Sequence, residues 1–186
     1  MKKPTIILIL SLMAFVCQAQ TEHMKFMGIP LNGTITQFQS KLQGKGIQHD
    51  MAGSNKLSMG CRKFQGAFAG EKAEFYVYYD EKTKIVYRAK AVIPCVSEEI
   101  CDNKYNELKS LLEEKYALAN TDKGYQGGHE SFTLILPDSN LSKTLGFIGL
   151  YVQDPEIHYP YERYLHVDYE DMINTRAHEN KKMDDL

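Results

Sequence analysis

The clearest pattern of apolar and polar side chains lies in the middle of the chain. The stretch Ala73–Tyr79 alternates with a period of two, and Lys84–Ile93 repeats that period after the polar segment Asp80–Thr83. A period of two is typical of a half-buried strand, and two such runs joined by a short polar turn predict an antiparallel hairpin. The side chains predicted to share the second face of this hairpin are Tyr76, Tyr78, Arg88 and Lys90.

Two other segments carry the period of a helix, each behind a capping residue. Thr34 and Gln37 form a capping box at the start of a predicted helix Ile35–Lys45. Ser97 is the predicted N-cap of a second helix that extends to about Tyr116. The apolar stripes are Ile35, Phe38 and Leu42 in the first helix, and Cys101, Tyr105, Leu108 and Leu112 in the second. Short amphipathic helices of this kind are stable only when packed against other elements.

Three apolar runs follow the second helix, after a predicted polar, glycine-rich loop at Asn120–Gly128. The runs are Glu130–Leu136, Thr144–Gln153 and Tyr161–Tyr169. Short connections between strands permit only antiparallel pairing, so the element order predicts an α+β fold. In this prediction a helix followed by three to four strands occurs twice, with the helices on one face. We expect one compact domain at 20–174, made of units at about 24–93 and 97–169, and a polar tail at 175–186.

The N-terminus has the pattern of a secretory signal peptide at residues 1–19. Lys2 and Lys3 precede an apolar run, and cleavage is predicted after Ala19, so the mature chain is expected in the periplasm or outside the cell. Lipid anchoring through Cys17 is the disfavoured alternative, because Val16 stands where lipoprotein signals have a small residue. The apolar run is shorter than the roughly 20 residues of a membrane span, and no second apolar run of spanning length exists, so no membrane span is predicted.

Charge and cysteine content limit the expected partners and the possible disulfides. The chain has 22 Lys and Arg against 24 Asp and Glu, whereas nucleic-acid-binding domains are usually basic, so nucleic acid is not an expected partner. After removal of the signal peptide the chain would keep Cys61, Cys95 and Cys101, and an exported protein can form disulfides. Cys95 and Cys101 flank a short loop at a helix start and are the favoured pair, although spacing alone leaves all three pairings open.

Several turn segments carry a resemblance to known proteins. Gly28-Ile29-Pro30-Leu31-Asn32-Gly33-Thr34, Phe64-x-Gly66-x-Phe68-Ala69-Gly70 and the end Asp184-Asp185-Leu186 resemble a group of small exported proteins of gut-dwelling Gram-negative bacteria. The order of elements is similar to that of beta-lactamase inhibitor protein and its relatives, in which two helix-plus-sheet units make a joint sheet surface. The resemblance implies an exported protein with this fold, and it implies no site.

The predicted site is the sheet face turned away from the helices. The candidate ligand-binding residues are Tyr76, Tyr78, Arg88, Lys90, Tyr164 and His166. Tyrosine and arginine are enriched at protein interfaces, so the sequence favours a non-enzymatic module that binds a protein or peptide ligand. The alternative is that tyrosine simply suits half-exposed strands. The sequence leaves the oligomeric state open.

Two other functions compete with this prediction. His158, His166 and Asp168 are candidate ligands for a small metal-dependent hydrolase, but a catalytic zinc site needs about three converging ligands and the spacing fixes only two. No His-Glu-x-x-His or paired Cys-x-x-Cys motif is present, so no cofactor, metal site or catalytic residue is predicted. The third function is a purely structural component of the envelope.

Overall fold

The computed structural model describes residues 22–126, 129–153 and 163–184. The helices are α1 (Ile35–Gln43), α2 (Met51–Ser54), α3 (Glu98–Lys115) and α4 (Met172–Asp184). The strands are β1 (Lys25–Phe26), β2 (Ile29–Pro30), β3 (Gln48–His49), β4 (Cys61–Phe68), β5 (Glu71–Tyr79), β6 (Val86–Cys95), β7 (Asn120–Gln126), β8 (His129–Pro137), β9 (Thr144–Gln153) and β10 (Arg163–Asp171). The predicted signal peptide, Cys17, His158 and the Asp185-Leu186 end lie outside the described residues.

One eight-stranded sheet organises the chain, with the order β3-β4-β5-β6-β10-β9-β8-β7. Every neighbouring pair in it is antiparallel. The α+β class is therefore confirmed. The last strand in sequence, β10, lies between β6 and β9. It is therefore the fifth of the eight strands and occupies the middle of the sheet. The predicted hairpin is β5–β6, which pairs from Glu74 opposite Val92 to Tyr79 opposite Val86.

The apolar core lies on one face of this sheet. Cross-strand neighbours from β4 to β8 fill it in a continuous row, namely Phe64, Phe75, Ala91, Val167, Leu150 and Phe132. The buried residues of α1 (Ile35, Phe38 and Leu42) and of α3 (Cys101, Leu108 and Leu112) belong to the same cluster. The Thr34–Gln37 capping box forms as predicted, with Gln37 N–H donating to Thr34 Oγ1 and Thr34 N–H donating to Gln37 Oε1.

A short strand replaces the loop that the sequence suggested at Asn120–Gly128. Residues 120–126 form β7, which pairs with β8 from Asn120 opposite Ile135 to Gln126 opposite His129. The side chains of residues 120–125 are all exposed, because an edge strand has one neighbour and buries little. That polar surface explains why the sequence pattern gave no strand signal there.

The C-terminal residues, expected as a polar tail from residue 175, belong to helix α4 as far as Asp184. Asp171, fully buried, accepts a hydrogen bond from Asn174 N–H at 2.9 Å and caps the helix. His178 bonds Asp80 at 2.9 Å and stacks on Tyr87, with ring centroids 4.6 Å apart. These polar contacts hold a helix that has no apolar stripe in its sequence.

None of the described helices is long and apolar enough to cross a membrane.

Candidate binding face

Strand register brings the predicted site residues onto one surface. We call the sheet face opposite the core the outer face. Its central members are Cys61, Lys63, Glu74, Tyr76, Tyr78, Arg88, Lys90, Val92, Tyr151, Tyr164, His166 and Asp168. Tyr78 lies opposite Arg88, and Tyr76 lies opposite Lys90. All six predicted residues alternate to this face, with Tyr164 and His166 on β10.

A bidentate ion pair crosses the middle of the outer face. Arg88 Nε and Nη2 donate to the two carboxylate oxygens of Asp168 at 2.9 and 2.5 Å. The two residues are diagonal neighbours, since Arg88 lies directly opposite Glu170. The Arg88 guanidinium also lies 5.3 Å from the centre of the Tyr78 ring. The hydrogen bond to Asp168 raises the pKa of Arg88, so the guanidinium stays charged at every physiological pH.

Tyr76 is the centre of a second charged group. The ammonium groups of Lys63 and Lys90 each lie 5.7 Å from the centre of its ring, a cation–π distance. Its hydroxyl donates to Glu74 at 3.0 Å, and Lys63 pairs with Glu74 at 2.7 Å. Burial, and the hydrogen bond to Glu74, raise the pKa of Tyr76. The phenol therefore acts here as a donor and an aromatic platform, and not as a base.

His166 is the most enclosed of the predicted residues, at 5% exposure. Its ring stacks on Tyr151 of β9, with centroids 4.7 Å apart and planes at 9°. Neither ring nitrogen has a hydrogen-bond partner among the described residues. Burial lowers the pKa of His166 to about 4, with a further lowering by Lys90 and an opposing effect of Asp168. The imidazole is therefore neutral at pH 7.

Among the described residues, Lys90 is a cation of this face that has a cation–π contact and no ion pair. Within the ranges that the structure describes, no carboxylate forms an ion pair with its ammonium group, whereas Lys63 and Arg88 are both paired. Burial lowers the pKa of Lys90, and the nearby Asp168 opposes that shift. The ammonium group of Lys90 thus lies half-buried above the Tyr76 ring without an ion pair to a described carboxylate.

Several members of the outer face were missed in the sequence. Tyr151 and Glu74 gave no signal, because their roles depend on which strands become neighbours and on side-chain direction. The sequence pattern also suggests an open surface, whereas His166, Asp168, Val92 and Cys61 are all less than one-tenth exposed. Burial raises the pKa of the Cys61 thiol to about 11, which leaves it protonated and unreactive at neutral pH.

The candidate metal ligands do not converge in the described part of the chain. His166 and Asp168 share the outer face, but both Asp168 oxygens are engaged by Arg88. No group of three or more His, Cys, Asp or Glu suited to a metal ion occurs among the described residues. His158, the third candidate, lies outside them.

The predicted Cys95–Cys101 disulfide is not formed. Across the described ranges the three cysteines are free thiols, and all are buried. Cys95 ends β6 and Cys101 lies in the first turn of α3, so the two thiols meet as expected. The hydrogen bond between them lowers the pKa of Cys95 and raises that of Cys101. Both side chains are accommodated as small apolar groups of the core, at 1% and 0% exposure.

A cavity of about 580 Å³ lies away from the outer face, at the C-terminal end of α3. Its wall includes Met24, Tyr116, Leu118, Leu136 and Leu145. The wall is mainly apolar and includes a cation–π contact, Lys115 at 5.2 Å from the centre of the Tyr116 ring, but it contains none of the six residues predicted from the sequence. We therefore treat the outer face as the candidate site.

Comparison of the chain with protein-family models, with curated proteins and with solved structures gives no match. The function must therefore be inferred from the geometry of the chain itself.

Replacing Arg88 by Met is expected to lower the free energy of unfolding by about 2 kcal/mol, because it leaves the buried Asp168 carboxylate without its partner. The cost is reduced from that of a fully buried pair, since the Arg88 side chain is 38% exposed. Urea unfolding measures the change. The double variant Arg88→Met, Asp168→Leu should recover most of the loss, because no charge is left unpaired. A single-variant loss below about 0.5 kcal/mol would contradict the role of this pair.

Proposed function

We propose that this protein is an exported, non-enzymatic binding module that recognises a protein or peptide ligand in the periplasm or outside the cell through the outer face. One observation carries the proposal: aromatic and charged side chains from β4, β5, β6, β9 and β10 converge on a single sheet face and contact one another. Tyrosine and arginine are the residue types that contribute most to binding at protein interfaces.

The state of the titratable groups supports binding over catalysis. Arg88 is committed to Asp168, and Lys63 to Glu74. His166 is neutral and Cys61 is protonated at neutral pH. A general base or nucleophile needs a pKa near the working pH and a partner that activates it. Arg88 with Asp168 and Lys63 with Glu74 instead form fixed pairs, which suit recognition.

The sheet order supports the finer proposal of two consecutive helix-plus-sheet units. α1 precedes β3 to β6, and α3 precedes β7 to β10. The strand order β3-β4-β5-β6 on one side of the sheet is matched by β7-β8-β9-β10 in reverse on the other, so that β6 meets β10. In this arrangement the two units would share the outer face, with Tyr76 and Tyr78 from the first and Tyr151 and His166 from the second.

Export is supported by the sequence of the first 19 residues. The charged start at Lys2 and Lys3, the apolar run and the small residue Ala19 together make the pattern that secretory signal peptides share. We place the ligand in the same compartment, as an exposed segment of a protein or a peptide.

The proposed function is tested by removing two tyrosines of the outer face. A partner captured from an envelope extract is purified, and its Kd is measured against wild type, the Tyr78→Ala, Tyr164→Ala double variant, and Tyr125→Ala. We expect the double variant to bind about a hundredfold more weakly, since central interface tyrosines typically contribute strongly. Tyr125, on the edge strand β7 and 76% exposed, is the matched control and should leave the Kd unchanged.

Two results would overturn the proposed function. One is a double variant, shown to be folded by circular dichroism, that binds the partner as tightly as wild type does. The other is the absence of any saturable binding by wild type to proteins or peptides of the envelope.

A further inference from the structure

The charges of the outer face are unevenly matched. Lys63 is paired with Glu74, and Arg88 is paired with both oxygens of Asp168. Lys90 has cation–π contact with Tyr76 and no ion pair among the described residues. The nearest carboxylates are therefore already engaged by other cations, and the Lys90 charge is available to a ligand.

The geometry of the sheet explains why Lys90 has no internal partner. Arg88 reaches Asp168 along a diagonal of the β6–β10 pair, two residues from its direct neighbour Glu170. The corresponding diagonal neighbour of Lys90 is His166, because Lys90 lies directly opposite Asp168 and His166 precedes Asp168 by two residues. A carboxylate occupies this diagonal position for Arg88, and an imidazole occupies it for Lys90.

His166 cannot neutralise Lys90, because the buried imidazole carries no negative charge in either protonation state. Its two ring nitrogens have no hydrogen-bond partner within the described ranges. Its ring is fixed by stacking on Tyr151. Because both ring nitrogens are enclosed, the charge accessible to a ligand here is that of Lys90, next to the aromatic rings of Tyr76 and Tyr151.

We propose that Lys90, with His166 beside it, is the subsite for the carboxylate of an Asp or Glu side chain on a peptide segment bound to the outer face. This inference rests on the proposed function and names the chemistry of its ligand. The ammonium group of Lys90 matches the single negative charge of a carboxylate, and a charge-assisted hydrogen bond between them is stronger than a neutral one. The flanking tyrosine rings match the neighbouring side chains of a peptide, because they offer large apolar faces with polar edges.

The experiment begins with peptides selected on wild-type protein from a random library. Each selected peptide that contains Asp or Glu is remade with Asn or Gln, and the Kd of both forms is measured by fluorescence anisotropy. Wild type should prefer the acidic form about tenfold, the value of a charge-assisted hydrogen bond. Lys90→Gln should lose this preference and Lys90→Arg should retain it. Lys123→Gln, on the exposed edge strand β7, is the matched control and should retain it too.

Each outcome separates this inference from the function on which it rests. Peptides that bind wild type with no preference for the acidic form, or a preference that persists in Lys90→Gln, would overturn the carboxylate subsite and leave the binding face intact. Selection of no peptide at all would overturn the carboxylate subsite, whereas the proposed function would still be decided by the binding measurements with envelope proteins. The wild-type comparison needs no variant, so it remains decisive even if Lys90→Gln fails to fold. Equal competition by free acetate or inorganic phosphate would also count against a peptide ligand.

Discussion

Phe26→Ala is expected to lower the free energy of unfolding by about 4 kcal/mol, the largest effect of any substitution considered for this protein. Phe26 is fully buried, and its ring meets three others: Phe68 at 5.9 Å, Phe75 at 6.0 Å and Tyr169 at 5.2 Å. Phe75 belongs to β5 and Tyr169 to β10, so one side chain ties strands on both sides of β6 to the β1–β2 hairpin. Alanine would remove these contacts and leave a cavity that the surrounding strands cannot close.

Urea unfolding followed by far-ultraviolet circular dichroism measures this effect. Phe26→Leu keeps most of the apolar volume and should cost roughly a third as much. Tyr125→Ala is the control for removal of an aromatic ring from the surface, and it should change the free energy by less than about 0.5 kcal/mol. A loss below about 1.5 kcal/mol for Phe26→Ala would show that the β1–β2 hairpin is dispensable to the core.

The features predicted correctly from sequence are those that depend on near neighbours. The period of two around Phe75 and Val77 specifies a strand and which side chains share a face, because alternation is a property of the strand itself. The capping box at Thr34 and Gln37 is a local hydrogen-bond pattern, so four residues suffice to identify it. For the same reason, the six residues chosen for the outer face share one side of their strands.

The features that sequence could not predict depend on pairing between distant strands. The contact between Tyr151 and His166 exists because β9 and β10 are neighbours in a given register, and neither residue contains that information. The diagonal ion pair of Arg88 and Asp168, which leaves Lys90 unmatched, likewise requires the β6–β10 register. The sequence could show that these residues share a face, but not which of them touch.

Elements that are held by polar contacts were also not predicted from the sequence. Strand β7 buries no side chain among residues 120–125, and α4 is fastened by Asp171, Asn174 and His178. Hydrophobic periodicity detects elements by the apolar surface that they bury. Helix α4 is held partly by hydrogen bonds from Asn174 to the backbone carbonyls of Leu31 and Val86. Such bonds leave no trace in the pattern of apolar residues.

Acid is expected to destabilise the fold well before most carboxylates titrate, because of His166. Burial lowers the pKa of His166 from its ordinary value of 6.5 to about 4. The unfolded chain therefore binds a proton on this side chain between about pH 6.5 and 4 that the folded chain does not, so stability falls as the pH falls through that window. At about 1.4 kcal/mol per pKa unit, about 3 kcal/mol present at pH 7 should be lost by pH 4.

Lys90 on β6, Asp168 on β10 and Tyr151 on β9 face His166. Burial raises the pKa of Tyr151 to about 12, far above this window. Burial raises the pKa of Asp80, but hydrogen bonds from His178 and Thr83 together outweigh it and hold the pKa below its usual range. The stability that Asp80 contributes is thus lost only below about pH 4, as the pH falls through its folded pKa.

Urea unfolding of wild type and His166→Gln from pH 7 to pH 4 isolates the contribution. The variant should lose most of the acid slope between about pH 6.5 and 4, because glutamine does not titrate. His49→Gln removes a less deeply buried histidine, whose pKa burial also lowers, and it should leave most of the slope in place. Parallel curves for wild type and His166→Gln would mean that His166 titrates as it does in the unfolded chain. The imidazole beside Lys90 would then be a cation in mild acid, and a carboxylate ligand would bind more tightly near it as the pH falls.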